Sequence, residues 1–179
     1  RTFSLTVTGT TPTFTWSNVS KSYGDSPFTL TAPVTSTSGR FTYSSASAGV
    51  ISVNNVNTDS ATVVAPGTSV ITASFTPTDT ATYNSATTTM TVTVGKATQS
   101  ALSLALSSSS KNSPYSQAIT LSTTGGSGSG AITYAIAAGG TASGCALANA
   151  TETNTVTATS AGTCLIQATK STDTNYLVA

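Results

Sequence analysis

The groups able to do chemistry in this chain are few and far apart. Five carboxylates, Asp25, Asp59, Asp79, Glu152 and Asp173, are scattered through 179 residues, with none of the D-x-D-x-D spacing of a calcium loop. There is no histidine, which removes the commonest general base and metal ligand. The many serines stand in no G-x-S-x-G context and beside no base. No catalytic residue, metal ligand or cofactor is therefore expected, and the chain does not read as an enzyme. Cys145 and Cys164 are the only thiols, too few for a zinc site without histidine. Either they form a disulfide closing a loop of ~20 residues, which would stabilise by roughly 3 kcal/mol, or they are two buried free thiols. A bridge would imply an oxidising, extracellular setting.

Composition excludes other classes. Charged residues make up 6% and the net charge is +1, against roughly 25% charged in ordinary soluble domains. The six Lys and Arg form no basic stripe for nucleic acid and no polybasic membrane patch. No apolar run approaches the ~20 residues of a membrane-spanning helix. In place of charge the chain carries 40 Thr and 29 Ser. Rows such as Thr151–Thr159 suit exposed strand faces, since Thr forms strands readily and keeps them soluble. Asn18-Val-Ser20 and Asn149-Ala-Thr151 are formal glycosylation sequons.

The elements that must carry these residues are strands. Thr2–Thr8 alternates strictly, with Phe3, Leu5 and Val7 on one face and hydroxyls on the other, as in a half-buried antiparallel strand. The pattern recurs at Thr13–Trp16, Phe28–Leu30, Phe41–Tyr43, Val70–Phe75, Met90–Val94 and Ala131–Ala138. Turn signals separate them, among them Tyr23-Gly-Asp-Ser-Pro27, Pro66-Gly67 and Thr76-Pro-Thr-Asp79. Short strands with frequent turns predict a β-sandwich.

The order repeats. Ser38–Tyr43 returns as Ser129–Tyr134, Phe28–Leu30 as Ile119–Leu121, and Gly67–Ala73 as Gly162–Ala168. An internal repeat of this length predicts two domains. The expected layout is a separate strand over 1–9, one domain over 10–95, a linker over 96–100, and a second domain over 101–179.

The run Lys21–Pro33, followed by Ser38-Gly-Arg-Phe-Thr-Tyr-Ser44 and Gly67–Ala73, resembles a bacterial immunoglobulin-like repeat. Thr124–Tyr134, Gly144-Cys145, Ala161–Cys164 and Asp173–Tyr176 resemble a sister type. The resemblance implies an all-β fold of two tandem immunoglobulin-like β-sandwiches and a place in bacterial extracellular stalks, adhesins or filaments. It carries no catalytic residues and identifies no ligand.

The halves are out of phase. Phe3–Gly9 resembles Thr89–Gly95, the closing strand of the first repeat, and the second repeat is expected to lack its own last strand. Aligning Gly9 with Gly95 places Phe3, Leu5 and Val7 on the opposite parity from Met90, Val92 and Val94, which a bulge or a one-residue shift would reconcile. Three readings are open. Residues 2–8 complete the second domain of a neighbouring copy, the segment is a window of a longer tandem array, or the strand lies beside its own first domain. The first predicts a filament or stalk subunit with itself as partner and Phe3, Leu5 and Val7 as the donated face. The alternative function is an adhesin or carbohydrate-binding surface module, with a surface glycan or host receptor as partner. It would need an exposed aromatic platform, and the sole Trp, Trp16, sits on an alternating strand.

Overall fold

The computed structural model describes residues 1–54, 59–107, 117–149 and 154–179. These contain fifteen strands and no helix, and they cluster into two units, Arg1–Lys96 and Ala97–Ala179.

The first unit holds β1 (Phe14–Thr15), β2 (Val19–Ser22), β3 (Phe28–Thr29), β4 (Val34–Thr35), β5 (Gly39–Ser45), β6 (Ile51–Asn54), β7 (Ser60–Val63), β8 (Gly67–Pro77) and β9 (Ala86–Gly95). One sheet runs β2-β9-β8-β5 and the facing sheet β3-β7-β6, with β1 and β4 a separate pair. All pairings are antiparallel except β2 on β9. In immunoglobulin lettering, β5, β8 and β9 occupy the C, F and G positions and β3, β7 and β6 the B, E and D positions. Alternation fixes the inner faces: Tyr43, Ile71, Ala73, Met90, Val92 and Val94 of one sheet pack on Ile51 and Ala61 of the other, with Leu30 beside them. Phe14, Phe41 and Phe75 close one end, their ring centroids 4.9 to 5.9 Å apart.

The second unit holds β10 (Leu102–Leu106), β11 (Ile119–Gly125), β12 (Ile132–Ala137), β13 (Ala146–Leu147), β14 (Asn154–Thr157) and β15 (Leu165–Lys170). Its sheets run β10-β11-β14-β13 and β12-β15. These are the A-B-E-D and C-F positions of the same architecture. The sequence repeat is thus a repeat of register. Tyr43 pairs with Ala73 as Tyr134 pairs with Ala168, and Phe28 with Ala61 as Ile119 with Val156. Backbone constraints repeat too. Gly67 and Gly162 take φ of 145° and 144°, a conformation that disfavours a Cβ. A Cβ on Gly39 or Gly130 would collide with the backbone carbonyl of Thr76 or Ser171 across the pair.

Isolated parallel bridges open each unit in the same way, Thr10 with Tyr83 and Ala97 with Tyr176. The five residues expected to link the halves include Gln99, which is 6% exposed. Its amide donates to the carbonyls of Leu177 (2.6 Å) and Ser171 (3.2 Å) and accepts from Gly128 N–H. Residues 1–9, by contrast, belong to no strand.

The cores differ sharply. Nine buried side chains form the first cluster, and only Leu121, Tyr134 and Val156 form the second. Met90, Val92 and Val94 of β9 supply a third of the first cluster, and the second unit has no strand in that place among its described residues. The repeat-related pair Ile71 and Ile166 should register this. Ile71→Ala is expected to cost the first unit about 2–5 kcal/mol in urea unfolding, and Ile166→Ala less than about half as much in the second. Equal losses would contradict the difference in packing.

Candidate assembly site

The residues of interest lie where β15 meets open space. In the first unit β8 is paired on both sides, by β5 and β9. Among the described residues β15 pairs along its length with β12 alone. The consequence is visible position by position. Ser69, Ile71 and Ala73 are 1%, 0% and 0% exposed beneath β9, whereas their counterparts Cys164, Ile166 and Ala168 are only half-buried.

The facing sheet shows the same deficit. Leu104 and Leu106 of β10 pair with Thr123 and Leu121 of β11, and directly opposed residues project from the same face of a sheet. That face is the inner one, since Leu121 is 2% exposed and Thr123 Oγ1 lies 2.8 Å from the Tyr134 hydroxyl. Leu104 and Leu106 are nevertheless 36% and 39% exposed. Inward leucines on one sheet and half-buried Ile166 and Ala168 on the other thus border a strip of uncovered apolar surface. The L-x-L-x-L alternation of Leu102–Leu106 was the sequence signal for these residues, although alternation cannot tell a covered inner face from an uncovered one.

The strip has a fixed start. Ala179 and Lys170 exchange both backbone hydrogen bonds, at 2.9 and 3.0 Å, the pattern of an antiparallel rung. In the first unit the matching rung is Ala86 on Phe75, the first of β9. The turn leading there is organised by Asp173. Its carboxylate accepts from the N–H and hydroxyl of Ser129 and from the N–H groups of Asn175 (2.9 Å) and Tyr176 (2.8 Å). Those bonds, the one from Ser129 N–H foremost, pull its pKa down to about 2. Asp79 does the same before Tyr83, accepting from Ala81 and Thr82 N–H, and its pKa is likewise lowered, chiefly by Thr82. Tyr83 and Tyr176 therefore close the turns that follow β8 and β15.

Cys145 and Cys164 are joined, with Cα atoms 5.9 Å apart, which settles the choice left open by the sequence. Cys145 leads into β13 and Cys164 into β15, so the bridge ties the two sheets together. In the first unit the same place is held by hydrogen bonds. Ser69 Oγ, the counterpart of Cys164, lies 2.8 Å from Ser45 Oγ and accepts from Ser47 N–H.

Phe3, Leu5 and Val7 are 91%, 87% and 84% exposed. Trp16 is half-buried, donates from Nε1 to the Thr31 carbonyl (2.7 Å) and packs against Tyr43. Among the described residues no group of three or more His, Cys, Asp or Glu is placed to hold a metal, and no helix is long and apolar enough to cross a membrane. Glu152, Thr151 of the second sequon and the first part of the Thr151–Thr159 row lie outside the described residues.

No family model matches the chain, and no curated protein matches it. Among solved structures it is similar to the protocadherin gamma B4 extracellular domain at 15% identity and a TM-score of 0.41, over 94% of this chain and 33% of that one. It is also similar to protocadherin gamma B2 cadherin domains 3–6, at 10% identity and a TM-score of 0.38, over 94% and 45%. The D00-D0 domain of intimin aligns at 11% identity and a TM-score of 0.31, over 94% and 96%. The chain spans under half the length of either protocadherin fragment. The architecture stands on its own strand pairing, not on these likenesses.

Two measurements check the site. Reducing the Cys145–Cys164 bridge should lower the unfolding free energy of the second unit by about 3 kcal/mol and leave the first unit's transition unmoved; a shift of both would be contrary. The second concerns pH. Asp173 has a lowered folded-state pKa, so its contribution is complete above the ordinary carboxylate range and is lost as pH falls through about 2. Its carboxyl carbon should titrate by NMR near 2 in the folded chain, and a midpoint near the ordinary value would contradict the turn geometry.

Proposed function

We propose that this chain is a structural building unit of an extracellular filament or surface stalk, bacterial as the resemblance implies, and not an enzyme. Copies assemble head to tail, residues 2–8 of one adding to the second unit of the next beside β15. The observation that carries this reading is the open edge of β15 bordered by uncovered apolar side chains. Adding a strand to such an edge supplies main-chain hydrogen bonds along its length, and side chains alternating into the surface below supply specificity.

The donated face is apolar enough for the task. Full burial of Phe3, Leu5 and Val7 would contribute roughly 1.5–3 kcal/mol each before the cost of ordering the segment. The segment does not pair in its own chain, so little native structure is given up when it moves. The disulfide supports an oxidising, extracellular setting. It also supports a mechanical role, because it braces the unit whose own core is smaller.

Leu5→Asp should leave both units folded by circular dichroism and abolish polymers in electron micrographs; normal filaments from this variant would sink the proposal. Material from the native source should run near the 17.7 kDa chain mass on a denaturing gel after boiling, with a ladder before it. One very large band under both conditions would mean that the edge is filled along a single covalent chain.

A further inference from the structure

The two bridges that open the units give the donated strand a register. Thr10 bridges Tyr83 and Ala97 bridges Tyr176, so Thr10 and Ala97 are the same position of the repeat. Counting back from Ala97, Val94, Val92 and Met90 precede it by three, five and seven residues. Counting back from Thr10, Val7, Leu5 and Phe3 do the same. Anchored on the bridges, Gly9 corresponds to Lys96 and not to Gly95, and the parity conflict between the two apolar sets disappears. Phe3, Leu5 and Val7 occupy the positions of Met90, Val92 and Val94, which are 3%, 0% and 4% exposed in the first unit.

The acceptor side is fixed by the other half of the comparison. Met90, Val92 and Val94 lie opposite Ile71, Ser69 and Gly67. The repeat-related residues on the second unit are Ile166, Cys164 and Gly162. Resting on the reading of the chain as a strand donor, we infer that residues 2–8 of a second copy lie antiparallel to β15 with Phe3 opposite Ile166, Leu5 opposite Cys164 and Val7 opposite Gly162. The apolar set then faces Leu104 and Leu106, and Leu5 covers the disulfide. Thr2, Ser4, Thr6 and Thr8 face outward, as Thr89, Thr91 and Thr93 do on β9.

A different register follows if the new strand simply continues the rung of Ala179 on Lys170 without adjustment. It shifts every pair by one residue, sets Thr2 opposite Ala168 and turns Phe3, Leu5 and Val7 outward.

Paired cysteines separate the two. Residues directly opposed on neighbouring strands hold their Cβ atoms roughly 4.5–5.5 Å apart, near disulfide reach. One full-length variant carries Thr2→Cys with Gln167→Cys, which are opposed in the inferred register. The other carries Phe3→Cys with Gln167→Cys, opposed only in the shifted one. Both are assembled, oxidised, boiled without reductant and run on a gel, with circular dichroism confirming that each remains folded. A covalent ladder from the first variant and little from the second is the expected result. Polymers that cross-link only in the second would overturn the register while leaving strand donation standing. Failure of the unsubstituted chain to polymerise at all would overturn donation and the register together.

Discussion

An immunoglobulin-type sheet is held together by its penultimate strand, which needs a partner on each side. In the first unit that strand is β8, eleven residues long and the best buried element of the chain, with Ser69, Ile71, Ala73, Phe75 and Pro77 all inward and buried. Its burial depends on β9, whose hydrogen bonds hold Met90, Val92 and Val94 over the same core. Much of what differs between the two units follows from whether that one pairing is made. Where it is made, a repeat of about ninety residues closes a core of nine buried apolar side chains. Where it is not, equivalent positions on both sheets stay half-covered, down to leucines of β10 that belong to the opposite layer.

The disulfide makes sense within this constraint. A small domain buries a smaller share of its surface than a large one, and stability must come from elsewhere. The first unit manages with a hydroxyl network at Ser69, where each hydrogen bond contributes on the order of 1 kcal/mol net. The second substitutes a covalent bridge at the same place, worth about three times as much. Joining the lead-in of β13 to that of β15 also holds the two sheets at a set spacing while the surface between them is uncovered. A surface held in shape before binding loses less freedom when a partner arrives.

Much of this architecture was legible in alternation and turn residues, because a half-buried strand has a period of two and little else does. Six of the predicted strand segments coincide with observed strands, although Thr13–Trp16 and Phe28–Leu30 shrink to two-residue pairs. Those lie at sheet margins, where pairing ends before the pattern does. The repeat was legible as well, and the observed registers repeat with it. The offset between the apolar sets was visible too, but not whether a bulge or a one-residue shift resolves it. Sequence alignment matched Gly9 to Gly95 because glycines look alike, whereas the equivalence is set by backbone bridges to Tyr83 and Tyr176, which no residue type announces. Leu104 and Leu106 were missed for a related reason. Their pattern states which face they occupy, but only the sheet opposite decides whether that face is covered.

Edges of sheets are usually protected by charge, proline, bulges or brevity. The outer strand β2 in the first unit is short and carries Lys21, whose ammonium lies 4.6 Å from the Phe28 ring centroid, and β5 carries Arg40. On β15 the only charge is Lys170, at the end already engaged by Ala179. The rest of that edge, Leu165 to Thr169, has no charge, proline or bulge. The outer edge of β12 is equally uncharged; its inner residue Tyr134 is 4% exposed and hydrogen-bonded, and Ile136 on the same face is 39% exposed, so a strand added there would gain backbone bonds and cover one partly exposed apolar side chain. At β15 the backbone gain coincides with apolar surface from both sheets, half-buried Ile166 and Ala168 on one and Leu104 and Leu106 on the other. That coincidence, and not bareness alone, separates an edge suited to one specific strand from an edge that is merely exposed.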